Sequence, residues 1–128
     1  MSISGSCECG AVVFELSGPL REVIGCHCTQ CRKTSGHYWA ATSVRTAQVL
    51  LLQSQGLTWY RSSDVARRGF CKRCGSSLFY ELDGEGRTSV GAGTLGGATG
   101  LSTAKHIFVK DKGDYYEIAC QAPQIARY

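Results

Sequence analysis

Seven of the eight cysteines in this chain stand in three tight groups: CEC at Cys7 and Cys9, CHCTQC at Cys26, Cys28 and Cys31, and CKRCG at Cys71 and Cys74. Cys120 stands alone. Thiols so close in sequence can close disulfides, cycle between redox states or hold a metal, and compartment and spacing decide among these. The N-terminal MSISGSCECG has neither the basic start nor the apolar run of a secretory signal, so a reducing compartment, the cytosol by default, is expected. A framework of disulfides is disfavoured there, and a thioredoxin-type CxxC ordinarily sits beside a βαβ pattern that this sequence lacks. Metal ligation remains, and zinc is favoured over iron for structural thiolate sites.

Zinc held by cysteine takes four ligands at about 2.3 Å, commonly delivered as two pairs of close neighbours. CEC and CKRCG are two such pairs, more than sixty residues apart. A zinc shared by Cys7, Cys9, Cys71 and Cys74 would be a closed, structural site stapling the N-terminal edge to the middle of a sheet. Gly75 would let the knuckle turn so that backbone N–H groups face the thiolates. With those four committed to each other, CHCTQC supplies three thiolates, and Cys120 or a nearby histidine is all that remains as a protein fourth ligand. An open position is the natural inference, and that is the arrangement of catalytic zinc. His27 lies between two ligands, where its ring would have to bend back beside both, and is read as a neighbour.

Thiolate–zinc sites carry net negative charge and benefit from nearby cations. Arg67, Arg68, Lys72 and Arg73 bracket the knuckle, and Arg32 and Lys33 follow the triad. Local neutralisation explains enough of the net charge of +4 and the isoelectric point near 8.7 that a nucleic-acid patch ranks lower. His37 is able to relay a proton near neutral pH, while Tyr38 and Trp39 are expected in a strand. Tyr115 and Tyr116 are expected to pack, and His106 to hydrogen-bond structurally.

These groups need a scaffold. At 128 residues and 43% hydrophobic composition, a single domain over residues 1–128 is expected. The longest apolar run, Val49 to Leu52, is far too short to span a bilayer. Short segments rich in β-branched and aromatic residues predict strands at Ala11–Leu16, Tyr38–Val44, Gln48–Gln53, Leu57–Arg61, Ser77–Glu81, Lys105–Val109 and Tyr115–Ile118. One short helix is expected at Thr29–Ser35. The glycine-rich GAGTLGGATG reads as an irregular connection, since no GKS or GKT follows it.

GSCECGAVVFEL, CHCTQCRKTSG, RRGFCKRCGSSL and HIFVKDKGDYYEI, in this order over nearly the whole chain, resemble the glutathione-dependent formaldehyde-activating enzymes, also called the centromere-protein-V family. The resemblance implies a mainly β, Mss4-like fold (a β-tent): antiparallel sheets with a zinc knuckle and at most one or two short helices. It also implies two zinc ions per chain, structural at Cys7, Cys9, Cys71 and Cys74 and catalytic at Cys26, Cys28 and Cys31, and glutathione as co-substrate. The implied activity is the condensation of formaldehyde with glutathione to S-hydroxymethylglutathione, classed among carbon–sulfur lyases. A small thiol would lose its proton at the open position and attack a small aldehyde, giving a hemithioacetal. Arg32 and Lys33 are then candidate glutathione contacts, Arg32 through a fork to a carboxylate. Where relatives often carry an acidic turn after GTL, this chain has Gly96 and Gly97, so the site chemistry should carry over better than the substrate. The rival is a non-catalytic zinc-binding interaction module that docks protein or nucleic acid.

Overall fold

The computed structural model describes residues 2–128. Its described part holds two β-sheets and one α-helix. The smaller sheet, in the order β1–β2–β5, pairs β1 (Ser2–Ser6), β2 (Val13–Ser17) and β5 (Val49–Gln53). The larger runs in the order β10–β3–β4–β9–β8–β7–β6: β10 (Thr103–Ile107), β3 (Val23–Cys26), β4 (Trp39–Arg45), β9 (Arg87–Gly91), β8 (Ser77–Leu82), β7 (Ala66–Cys71) and β6 (Leu57–Arg61). Neighbours are antiparallel except β10 and β3, which run parallel. No helix is long and apolar enough to cross a membrane.

The mainly β expectation holds, and helix α1 spans Thr29–Ser35 as the sequence predicts. Alternation explains β2: Phe14 and Leu16 are buried while the alternate residues Val13 and Glu15 are only partly covered. Phe14 meets Phe79 of β8 edge-on at 5.1 Å between ring centroids, joining the two sheets. Val12, Val44, Leu78 and Val90 complete that core, and two thiols, Cys7 and Cys71, are packed into it. Burying apolar area in this way supplies about 25 cal/mol per Å2.

Four strands go beyond the sequence reading. β1 (SISGS) and β9 (RTSVG) are polar and glycine-containing, β3 is four residues long, and β7 (ARRGFC) carries adjacent arginines. The strand predicted at Tyr115–Ile118 is absent; those residues form an irregular segment. The strand predicted to end at Val109 stops at Ile107, because Phe108 adopts a left-handed conformation (φ 54°) and turns the chain into a single 3-10 turn at Val109–Asp111. Beyond it the C-terminal segment returns along β10. His106 N donates to Pro123 O at 2.8 Å and Ile125 N to His106 O at 2.8 Å. GAGTLGGATG behaves as expected after its first glycine, which closes β9.

Candidate metal centres

The three cysteine groups become two sites. Cys7, Cys9, Cys71 and Cys74 converge, as do Cys26, Cys28 and Cys31, with ligand atoms in each set lying within 4.8 Å of one another. The first set is delivered by the turn after β1 and by the end of β7 with the turn that follows. Gly75 takes φ 79°, open to glycine at little cost, and its N–H donates to Cys71 O at 2.8 Å, closing the knuckle. Backbone and hydroxyl groups then address the sulfurs. Val12 N donates to Cys7 Sγ at 3.2 Å, and Cys74 Sγ lies 3.2 Å from Ser76 Oγ. The Ser76 contact pulls the Cys74 thiol down to about 5.

Tetrahedral zinc with bonds of about 2.3 Å requires sulfurs about 3.8 Å apart. The Cys7–Cys9 and Cys9–Cys71 separations are 3.8 and 3.7 Å. Four soft donors at that spacing, two of them buried in the core, fit a closed zinc site.

The second set forms where β3 runs into α1. Cys26 ends the strand, Cys28 is the N-cap and Cys31 is the buried residue of the helix. Cys28 Sγ accepts from Cys31 N at 3.3 Å, so one sulfur is both cap and candidate ligand. The mutual contacts are lopsided. Hydrogen bonds from Cys26 and Cys31 pull the Cys28 thiol strongly down, while the Cys26 thiol is pushed up by its contacts with Cys28 and Cys31. Three thiol sulfurs within 4.8 Å of one another fit a shared cation. Among the described residues no fourth histidine, cysteine or carboxylate joins the group.

The predicted neighbours divide. His27 is fully buried and turned away from metal duty, since both ring nitrogens are already engaged: Nδ1 hydrogen-bonds the Tyr116 hydroxyl, and Nε2 lies 2.9 Å from His106 Nδ1. Burial, reinforced by His106, draws its pKa down to about 4. His106 is buried and its Nε2 lies 3.2 Å from Cys120 Sγ, so Cys120 belongs to the histidines and not to the triad. Gly25 permits this contact, because a Cβ there would lie 2.7 Å from His106 Nδ1. His37 is exposed and packs its ring against Tyr116 at 4.3 Å, while Tyr38 stacks on His27 at 4.5 Å. Tyr116 is thus a polar partner as well as a packing residue, and burial raises its hydroxyl pKa.

Among the cations, Arg32 is partly buried with an Nε that has no partner, whereas Lys33 is exposed. The expectation that four basic residues serve the knuckle needs correction. Arg67 and Arg68 are adjacent on β7 and therefore point to opposite faces. Arg67 lies over Trp59 at 3.8 Å and bonds Glu81 at 2.8 Å. Arg68 crosses to the other site, donating Nε–H to Gln30 Oε1 at 2.6 Å and a terminal N–H to Cys31 Sγ at 3.4 Å. Recognising β7 as a strand would have revealed that division. Arg68 also borders a cleft between α1 and the knuckle, where two adjoining cavities of about 180 and 370 Å3 share Thr34, Trp39, Gly75 and Ser77.

The family model described as Glutathione-dependent formaldehyde-activating enzyme matches residues 2–111. An uncharacterized lyase of Schizosaccharomyces pombe is 27% identical over 116 residues, covering 90% of this chain and 84% of that protein. A provisionally named glutathione-dependent formaldehyde-activating enzyme of Halomonas elongata is 32% identical over 87 residues, 62% of this chain and 55% of the relative. A crystal structure of a Rhodobacter sphaeroides protein superimposes with TM-score 0.64 at 25% identity, covering 75% of this chain and 90% of that one.

Proposed function

The chain belongs to the glutathione-dependent formaldehyde-activating enzyme family, and on that premise we propose that it is a carbon–sulfur lyase-type enzyme adding a thiol such as glutathione to a small aldehyde. Its working form would be a single cytosolic domain over residues 1–128. Cys7, Cys9, Cys71 and Cys74 would hold a structural zinc, and Cys26, Cys28 and Cys31 a catalytic one. The observation that carries the reading is the unequal donor count: four sulfurs in one cluster, two of them in the core, and three in the other.

Zinc at the three-cysteine site would supply a place for an exchangeable external sulfur and a lowered pKa for that thiol. The chain's own residues do the rest. Arg68 places a guanidinium against Cys31 and offsets the negative charge of three thiolates plus an incoming one. Arg32, with its buried and unpartnered Nε–H, offers a donor to a carboxylate of a peptide-like thiol, and exposed Lys33 adds a steering charge. Tyr116, fixed by His27, holds a hydroxyl proton beside the triad's own segment, within a wall made by His37 and Tyr38. Covering groups of this kind keep water from competing with the thiol for the aldehyde.

The test combines metal content with thiol response. Wild-type protein should bind two zinc ions per chain and Cys31→Ser one, with the folded far-ultraviolet spectrum retained. In cobalt-substituted protein, glutathione should change the absorption of one metal and leave the other untouched. Two metals equally indifferent to thiol would defeat the proposal and favour a non-catalytic zinc module.

A further inference from the structure

The family reading makes no use of the row of polar groups behind the triad. Tyr116 Oη, His27 Nδ1 and Nε2, His106 Nδ1 and Nε2, and Cys120 Sγ form one continuous hydrogen-bonded chain, with 2.9 Å between the imidazoles and 3.2 Å at the sulfur end. His27 and His106 are almost wholly covered, at 0% and 4% exposure, while Cys120 is exposed. A neutral imidazole donates from one nitrogen and accepts at the other, so the chain has two self-consistent polarities. In one, the Cys120 S–H donates to His106; in the other, His106 donates to the sulfur.

We propose that Cys120 is a nucleophilic thiol site outside both metal clusters, assisted by His106 as base and built to capture a small electrophile, in this protein a small aldehyde. Nucleophile, base and a third group orienting the base are the parts an activated thiol needs. His27 orients His106 through Nδ1, and the returning C-terminal segment fixes the His106 backbone from the other side through Pro123 O and Ile125 N. Gly25 leaves the imidazole its place over β3. His106 Nε2 lies 3.2 Å from the sulfur, within reach of the thiol proton.

The reaction balances without an oxidant. Sγ attacks the carbonyl carbon, the C–S bond forms as the C=O π bond opens, and the thiol proton passes to His106 Nε2 and back to the new oxygen. Thiol plus aldehyde gives one hemithioacetal. The choice of aldehyde rests on the function proposed above; the nucleophilicity of Cys120 does not.

Zinc-loaded full-length protein separates these points, with no glutathione present. Iodoacetamide, followed residue by residue by peptide mass spectrometry, should alkylate Cys120 about tenfold faster in the folded chain than in the same chain unfolded in urea with chelator. His106→Gln should remove most of that advantage. The unfolded wild-type reference keeps the test valid even if the variant folds poorly. Equal rates in folded and unfolded chains, or an undiminished rate in a folded His106→Gln protein, would overturn the assisted thiol. Formaldehyde enriched in carbon-13 should then give a hemithioacetal resonance that Cys120→Ser lacks. Its absence from the wild-type spectrum would overturn the aldehyde assignment while leaving the metal-site reading untouched.

Discussion

Two sulfurs of the four-cysteine cluster, Cys7 and Cys71, are set into the hydrophobic core while Cys9 is exposed, whereas the three-cysteine cluster buries only Cys31, and a guanidinium reaches that sulfur. Cys7 and Cys71 pack with Val12, Phe14 and Leu78, and each is at most 3% exposed. Cys26 and Cys28 are only partly buried, the guanidinium of Arg68 reaches Cys31, and His27, between two of the thiols in sequence, meets Tyr38 and Tyr116. Apolar walls favour a metal whose ligands never change, because any exchange would place a polar group where no partner exists. Polar walls tolerate a change of charge and a change of ligand. One fold thus offers two sulfur environments suited to opposite tasks.

The comparison breaks hardest at the core. Cys71→Ser removes a ligand and leaves a hydroxyl among apolar side chains. A structural zinc contributes about 10–16 kcal/mol of folding free energy, as much as the whole stability of about 5–15 kcal/mol expected of a domain. The variant should therefore be unfolded at 25 °C, with loss of the β-type circular dichroism and of both metals. A folded Cys71→Ser protein with one metal would show that the core carries itself and that the cluster is not the staple.

Arg68→Met sharpens the contrast with a smaller effect. It keeps the aliphatic reach past Trp39 and Tyr80 while deleting the donor to Cys31. Outer groups of this kind typically change metal affinity about 10–100-fold. A chelator competition should show the weaker of the two zinc ions weakened further by about tenfold, with the tighter one unchanged. An equal effect on both would mean that Arg68 acts through general packing.

How much of this was legible in the sequence follows from range. The cysteine groups were legible because ligand spacing is local: CEC, CHCTQC and CKRCG need only a turn or a helix N-terminus to aim their sulfurs. Helix α1 was legible for the same reason, since its cap is one of the thiols and Gly36 closes it. The Tyr116–His27–His106–Cys120 row was not, because it joins segments 79 and 89 residues apart and depends on the parallel β10–β3 pair and on a C-terminal return that no local pattern announces. Arg68 was misplaced because β7 lacks the β-branched composition that marks a strand. Without the strand, its alternation could not be applied.

The smallest effect is a pH dependence confined to the polar wall. Burial holds His106 below the ordinary imidazole value of 6.5, and burial with help from His106 holds His27 at about 4. The groups around them are Tyr116, Tyr38, His37, Lys112 and Cys120, with no carboxylate contact among the described residues to stabilise an imidazolium. Below pH 6.5 the unfolded chain therefore binds protons that the folded chain refuses. For His27 stability is full above 6.5 and is lost as the pH falls toward 4, by at most about 1.4 kcal/mol per pH unit, and His106 contributes in the same direction. Zinc thiolates also protonate in acid, so the informative quantity is a difference in slope. Between pH 7.5 and 5.5, the melting temperature of His106→Gln should start lower than that of the wild type and fall less steeply, because the glutamine has no proton to gain. Acid loss of the metals acts on both proteins alike and cancels. Parallel lines would mean that His106 takes up its proton as readily in the folded chain as in the unfolded one, and the neutral hydrogen-bonded row behind the triad would have to be abandoned.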